Sequence, residues 1–240
     1  MFSGGLDSSF ILSTLLTYTD VHLMYVKGIQ GEHKTKKELS CREDIKAFMH
    51  DFRPDHGILS DSIIEIPYNT LTQASQWLIG AADRFNGVDS NLHSKLIAGY
   101  VMGDSIGHIL DNMKAFWKNL QTLQGVHETV PLSTPLIDAF IGKQFILGHT
   151  HMPDELLKLI WVCETPKVGK KEAWFEDKDW YTDHLTPCGK CDACKRLIAE
   201  MAIKGRPIPS GSNIPDPRTM DMKWEGTNNT TKIWTLCDEQ

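Results

Sequence analysis

Apolar positions alternate between short β-like runs and stretches with helical spacing. Residues 8–17 (SSFILSTLLT) follow a Gly-Gly pair and read as a helix, and residues 21–27 (VHLMYVK) read as a strand. Leu39, Ile45, Phe48 and Met49 give residues 34–50 a helical pattern. Residues 62–67 (SIIEIP) form a second strand candidate, closed by Pro67. Helices are expected over 70–82, 91–102 and 105–123. The last of these carries Ile109, Met113, Phe116, Trp117 and Leu120 on one side, as a core face. Beyond Pro131 come a short extended piece, a helix near 137–147 and another after Pro153. Strand–helix alternation predicts an α/β fold, a parallel sheet flanked by helices.

From about Gly205 the pattern changes. Pro207, Pro209, Pro215 and Pro217 precede a polar stretch that reads as an extended tail, with Trp224 and Trp234 hinting at local packing. The expected division is a domain over 1–205 and a tail over 206–240. The 240 residues are 41% hydrophobic, which is globular composition and enough for one α/β domain. A net charge of -6 argues against binding along a nucleic-acid backbone. Lys34, Lys36 and Lys37, the densest basic run, read as a solvated helix face. No apolar run approaches the ~20 residues a membrane span needs, and no signal peptide is visible. The chain therefore reads as cytoplasmic, where its six cysteines point to metal or chemistry rather than disulfides.

Phe2-Ser3-Gly4-Gly5-Leu6-Asp7-Ser8-Ser9 is the first stretch with evident chemistry. Paired glycines permit positive φ and close backbone approach, so several amides can line one anion-binding concavity. A helix following directly adds free N–H groups and the positive end of its dipole. Ser3, Ser8 and Ser9 supply hydroxyls. Asp7 is unfavourable beside phosphate unless it binds Mg²⁺ or caps the loop. The loop begins at residue 3, leaving almost no chain for the strand that normally precedes such a loop in an open α/β sheet.

Cys188-Gly-Lys-Cys191-Asp-Ala-Cys194 sets three thiols at successive C-x-x-C spacing, with Cys163 the nearest candidate for a fourth zinc ligand. A closed four-cysteine site would be structural, tying the loop 164–187 to the helix that starts near Cys194. A redox C-x-x-C pair, an iron–sulfur cluster or unligated thiols are the alternatives. Cys41 and Cys237 read as bystanders. His149 and His151 could face a metal from one side of a strand, but polar loop histidines account for them more simply.

Ser3-Gly4-Gly5-Leu6-Asp7-Ser8 resembles the signature of the PP-loop ATP pyrophosphatases, which split ATP between the α and β phosphates and transfer AMP to an oxygen of the substrate. It lacks the Gly-Lys-Ser/Thr ending of a Walker A loop. With Thr134-Pro135-Leu136, Cys163, Pro187-Cys188-Gly189-Lys190-Cys191-Asp192-Ala193-Cys194 and Arg196, in that order over about residues 2–196, the chain resembles the 7-cyano-7-deazaguanine synthase family. The resemblance implies an adenine nucleotide alpha hydrolase-like fold with a zinc knuckle over 163–196. It implies conversion of 7-carboxy-7-deazaguanine to the nitrile with ATP and ammonia, in a homodimer. ATP would be held by Phe2, Ser3, Gly4, Gly5, Leu6, Asp7, Ser8, Ser9, Phe10, Ile11 and Leu12, with Ser3, Asp7 and Ser8 catalytic and Mg²⁺ near Asp7. Zn²⁺ would sit on Cys163, Cys188, Cys191 and Cys194. Asp104, His108 and Asp111 would contact the deazapurine.

The middle of the chain departs from the family. Gln30-Gly31-Glu32-His33 stands for Gly-Gln-Arg-His, and Asn112-Met113 for Cys-Arg. An altered substrate, or a repurposed scaffold that binds nucleotide or a protein, is the alternative expectation. A sulfur-transferring enzyme would want a reactive cysteine near the pocket and a basic face, and neither is evident.

Overall fold

The computed structural model describes residues 1–27, 32–66, 72–85, 95–102, 104, 109–126, 129–168, 185–204, 222–225 and 233–236. Strand β1 (Val21–Lys27) runs parallel to β2 (Ile58–Glu65), in register from His22–Ser60 to Lys27–Glu65. Strands β3 (Leu96–Ile97) and β4 (Leu132–Ser133) form a second parallel pair. Residues 1 and 2 run between the pairs. The Phe2 N–H donates to the Met24 carbonyl at 2.8 Å, and the Met1 nitrogen donates to the Ile97 carbonyl. Residues 1 and 2 thus lead directly into the glycine-rich turn from between β1 and β3.

Side chains alternate across β1, as strand geometry requires. Val21 and Leu23 enter one core with Phe2, Leu6 and Phe10 of the N-terminal region and with Ile45 and Met49. Met24 and Val26 enter the other core with Leu78, Met113 and Trp117. The first face is covered by α1 (Leu6–Leu15) and α2 (Glu32–Phe52), the second by α3 (Gln73–Phe85) and α4 (Leu110–Leu123). Short helices α5 (Pro135–Asp138), α6 (Lys143–Gly148) and α7 (Asp154–Leu157) follow, then α8 (Asp192–Lys204).

Arg42, fully buried on α2, ties this layer together. Its guanidinium donates to the Phe2 carbonyl and to the Asp61 carboxylate, and lies 4.9 Å from the ring centres of both Phe2 and Tyr25. A buried guanidinium persists only when paired in this way.

Two sequence expectations are corrected. Residues 95–102 are not helical: Leu96–Ile97 is a strand, because a backbone hydrogen-bond partner is available in β4. The helix near 137–147 is two short helices, interrupted where Phe140 takes φ of 56°. Ahead of α8, β5 (Lys167–Val168) pairs antiparallel with β6 (Leu185–Thr186); past it, within the expected tail, β7 (Met222–Glu225) and β8 (Ile233–Leu236) pair antiparallel with Trp224 opposite Trp234.

Candidate functional site

The phosphate-loop candidate folds as a tight concavity. Gly4 has φ of 77°, a conformation that only glycine adopts without strain. Gly5 is the N-cap of α1 and offers no side chain, so nothing of its own covers the first-turn amides. The Ser3 and Ser8 hydroxyls lie 3.3 Å apart, the Gly5 N–H donates to Ser3 Oγ at 3.4 Å, and Ser8 Oγ donates to the Gly5 carbonyl at 3.2 Å. Two other segments press on this turn. The Trp161 N–H donates to the Gly4 carbonyl at 3.0 Å. Gly99 lies so close that a β-carbon there would stand 3.2 Å from the Ser8 nitrogen.

A cleft of about 220 Å³ opens over the loop. Phe2, Ser3, Gly5, Leu6, Asp7 and Ser8 line it, whereas Ser9, Phe10, Ile11 and Leu12 do not. Those four side chains are buried, the apolar three in the core behind α1, because a helix that packs one face on the sheet can present only its first turn to a ligand. Asp7 is the deepest ionisable group of the loop. Burial pushes its carboxyl up to about 6, against the opposing pull of Lys143. Its Oδ1 is buried without a hydrogen-bond partner among the described residues, and its Oδ2 stands 3.7 Å from Lys143 Nζ. Lys143 is equally 3.7 Å from Asp104, which also receives Arg196 at 3.2 Å. At 3.7 Å the lysine is within Coulomb range of both acids and outside hydrogen-bond range of either. Two acids and two bases thus meet at one end of the cleft. An incoming anion finds Lys143 and the loop amides, and a cation finds the unsatisfied oxygen of Asp7.

The other walls suit a flat heterocycle. Trp77 and Tyr100 lie with ring centres 5.9 Å apart and planes tilted by 30°. Opposite them, the Tyr25 hydroxyl donates to Glu38 Oε2 at 2.6 Å, and burial raises the Glu38 carboxyl. Lys34 is buried, ion-paired with Glu38 at 3.7 Å and with Glu164. It is therefore not part of a solvated face: Lys34 lines the cleft, and the two acids hold its charge. Of the expected substrate residues, Asp104 lines the cleft. Asp111 is exposed at the start of α4 and does not line it. His108 lies outside the described residues.

The cysteines meet as their spacing predicts. Ligand atoms of Cys163, Cys188, Cys191 and Cys194 all lie within 4.8 Å of one another. Tetrahedral zinc with Zn–S of ~2.3 Å would hold its sulfurs about 3.8 Å apart, so the set closes on a metal with small adjustments. Backbone N–H groups are already aimed at the sulfurs: Cys188 N–H to Cys163 Sγ at 3.2 Å, and Lys190 and Cys191 N–H to Cys188 Sγ at 3.3 and 3.2 Å. Burial alone would raise the Cys188 thiol, but the Thr165 hydroxyl and these amides outweigh it and bring it to about 6. Burial pushes Cys163 up to about 11. This donor set fits a thiolate-binding metal and leaves no position for substrate. Cys41 is buried nearby but outside the four. His149 and His151 meet edge to face at 4.7 Å between ring centres and beside Phe10, a packed cluster following α6.

Lys143, Glu38, Tyr25, Trp77, Tyr100 and Trp161 were not legible as cleft residues. Trp161, two positions before Cys163, had the nearest signal. The others reach the site only through tertiary packing. No protein-family model, curated protein or solved structure matches the chain.

Proposed function

We propose that the chain is an ATP-dependent carbon–nitrogen ligase that adenylates a deazapurine carboxylate for attack by ammonia, within a PP-loop fold. One observation carries the reading: the Ser-Gly-Gly-Leu-Asp-Ser turn, the N-terminus of α1, Lys143 and the unsatisfied Asp7 oxygen share one cleft. Loop amides with Ser3 and Ser8 hold the departing pyrophosphate. Lys143 offsets charge as it leaves. Asp7 would hold Mg²⁺, which supplies charge neutralisation on the phosphates. Trp77 and Tyr100 present aromatic faces to a heterocycle. The carboxylate oxygen attacks the α-phosphorus of ATP and pyrophosphate leaves. Ammonia then displaces AMP to give the amide. A second ATP activates the amide oxygen, and loss of AMP and protons yields the nitrile. Zn²⁺ on the four cysteines is structural in this reading, and the enzyme works in the cytoplasm as a homodimer. No helix among the described residues is long and apolar enough to cross a membrane.

A second reading, an altered substrate or a silent nucleotide-binding scaffold, is favoured by Asp111 lying exposed and Met113 buried where substrate contacts were expected. Mass spectrometry of products from 7-carboxy-7-deazaguanine, ATP and ammonium separates the two. The first reading expects the amide and nitrile with AMP and pyrophosphate. AMP and pyrophosphate formed only with other carboxylates point to an altered substrate, and no ATP cleavage at all points to a scaffold.

A further inference from the structure

We infer that the four-cysteine metal site sets the direction of the phosphate-binding amides, so that metal and nucleotide bind cooperatively. The connection is covalent and short at both ends of the cysteine set. Cys163 lies two residues after Trp161, whose backbone N–H donates to the Gly4 carbonyl at 3.0 Å. Cys194 lies two residues before Arg196, which reaches Asp104 at 3.2 Å, and Ala193 and Leu197 line the same cleft.

The first connection fixes an orientation. The peptide between Gly4 and Gly5 is planar and trans, so its C=O and N–H point in opposite directions. Pinning the Gly4 oxygen on Trp161 therefore turns the Gly5 N–H away from the knuckle. It points toward Ser3 Oγ, on the cleft side. Trp161 is itself held to the knuckle, since its indole N–H donates to the Cys163 carbonyl at 3.0 Å. The fit is close: a β-carbon on Gly5 would stand 3.5 Å from the Trp161 carbonyl oxygen. Gly99 and α2 also pack against the turn, at Ser8 and at Gly4, but as van der Waals neighbours that do not bond the Gly4 oxygen. Met24 and Arg42 hold residue 2 by its N–H and carbonyl, one peptide short of the turn. Among the described residues, the Gly4 carbonyl receives its backbone hydrogen bond from Trp161.

A metal that bonds Cys163 to Cys188, Cys191 and Cys194 joins chain segments 25 positions apart and holds Trp161 in place from below. Without it, Trp161 keeps its packing in the cysteine cluster and Arg196 its pairing with Asp104, but the segment that carries the Trp161 amide loses the cross-link that fixes it under the turn. Binding linkage is reciprocal: whatever metal adds to nucleotide affinity, nucleotide adds to metal affinity.

Two measurements test this on the full chain. The first is amide hydrogen exchange with and without zinc. The Trp161 amide is expected to exchange at least tenfold faster in the zinc-free protein while the amides of β1 keep their protection. An unchanged Trp161 amide, or loss of β1 protection to the same degree, overturns the inference; in the latter case the metal holds the whole fold rather than the turn. The second is zinc affinity, read by competition with a chromogenic chelator calibrated in the same MgATP solution. This arm rests on the proposed ATP reading, and saturating MgATP is expected to tighten zinc by about tenfold. Bound MgATP with unaltered zinc affinity overturns the inference. If MgATP does not bind the zinc-loaded protein, the ATP reading falls, and the exchange measurement alone decides the coupling.

Discussion

Burial lifts the Asp7 carboxyl to about 6, and Lys143 at 3.7 Å offsets only part of that cost. In the unfolded chain the same group titrates near ~3.9. Between about pH 4 and pH 6 the folded protein therefore holds the extra proton, and stability falls as pH rises across that window before levelling above it. The two-unit shift corresponds to roughly 3 kcal/mol. Asp7→Asn is expected to raise the stability of the ligand-free protein at pH 7 by up to about that amount, to flatten the decline from pH 4 to 6, and to abolish ATP cleavage. Melting temperature against pH, with pyrophosphate release on the same samples, checks both halves; a variant that cleaves ATP normally removes Asp7 from the chemistry. At this scale the sequence was informative about the loop, because Gly4, Gly5 and the serines are local chemistry in one string. It was silent about Lys143, which arrives from a helix that follows Gly142 and has no pattern of its own. Lys34 was misread for the same reason, since its partner Glu164 is distant in sequence.

Elements were legible where they were long enough to show a period. Strand β1 occupies 21–27, as expected, and α2 covers the expected 34–50 with a few residues to spare. Strands β3 and β4 are two residues each, too short to carry alternation, and they pair across more than thirty positions of sequence. The stretch after β3 matters to function because Gly99 abuts the start of α1. Gly99→Ala places a β-carbon 3.2 Å from the Ser8 nitrogen and 3.3 Å from its α-carbon, backbone atoms that cannot swing aside. Such overpacking costs about 1–3 kcal/mol. We expect Gly99→Ala to lower the urea midpoint accordingly and to weaken MgATP binding. Gly57→Ala, whose β-carbon would meet nothing nearer than 3.9 Å, is expected to leave MgATP affinity unchanged. Equal MgATP affinity in both variants would show that the β3 segment does not shape the loop.

At the scale of the whole molecule, the described residues gather into three clusters of unequal kind. Two are apolar, one on each side of β1, and rest on leucine, isoleucine, methionine and aromatic side chains. The third gathers Cys41, Trp161, Cys163, Leu185, Cys188 and Cys194, a cluster that holds few aliphatic side chains among the described residues. Metal–thiolate bonds are the natural replacement, since structural zinc contributes folding free energy directly. Cys191 is the half-exposed member of the four, so Cys191→Ser removes a ligand with little disturbance of packing. We expect it to lose zinc and to melt lower. A loss of about 3 kcal/mol lowers the midpoint by roughly 6–12 °C in a chain of this size. Cys41→Ser is the matched comparison, because that thiol is buried beside the cluster yet lies outside the four. It is expected to retain a full equivalent of zinc by elemental analysis. Were both variants to keep their zinc, or both to lose it, the assignment of these four sulfurs as the ligand set would be wrong, because only the set itself distinguishes Cys191 from Cys41.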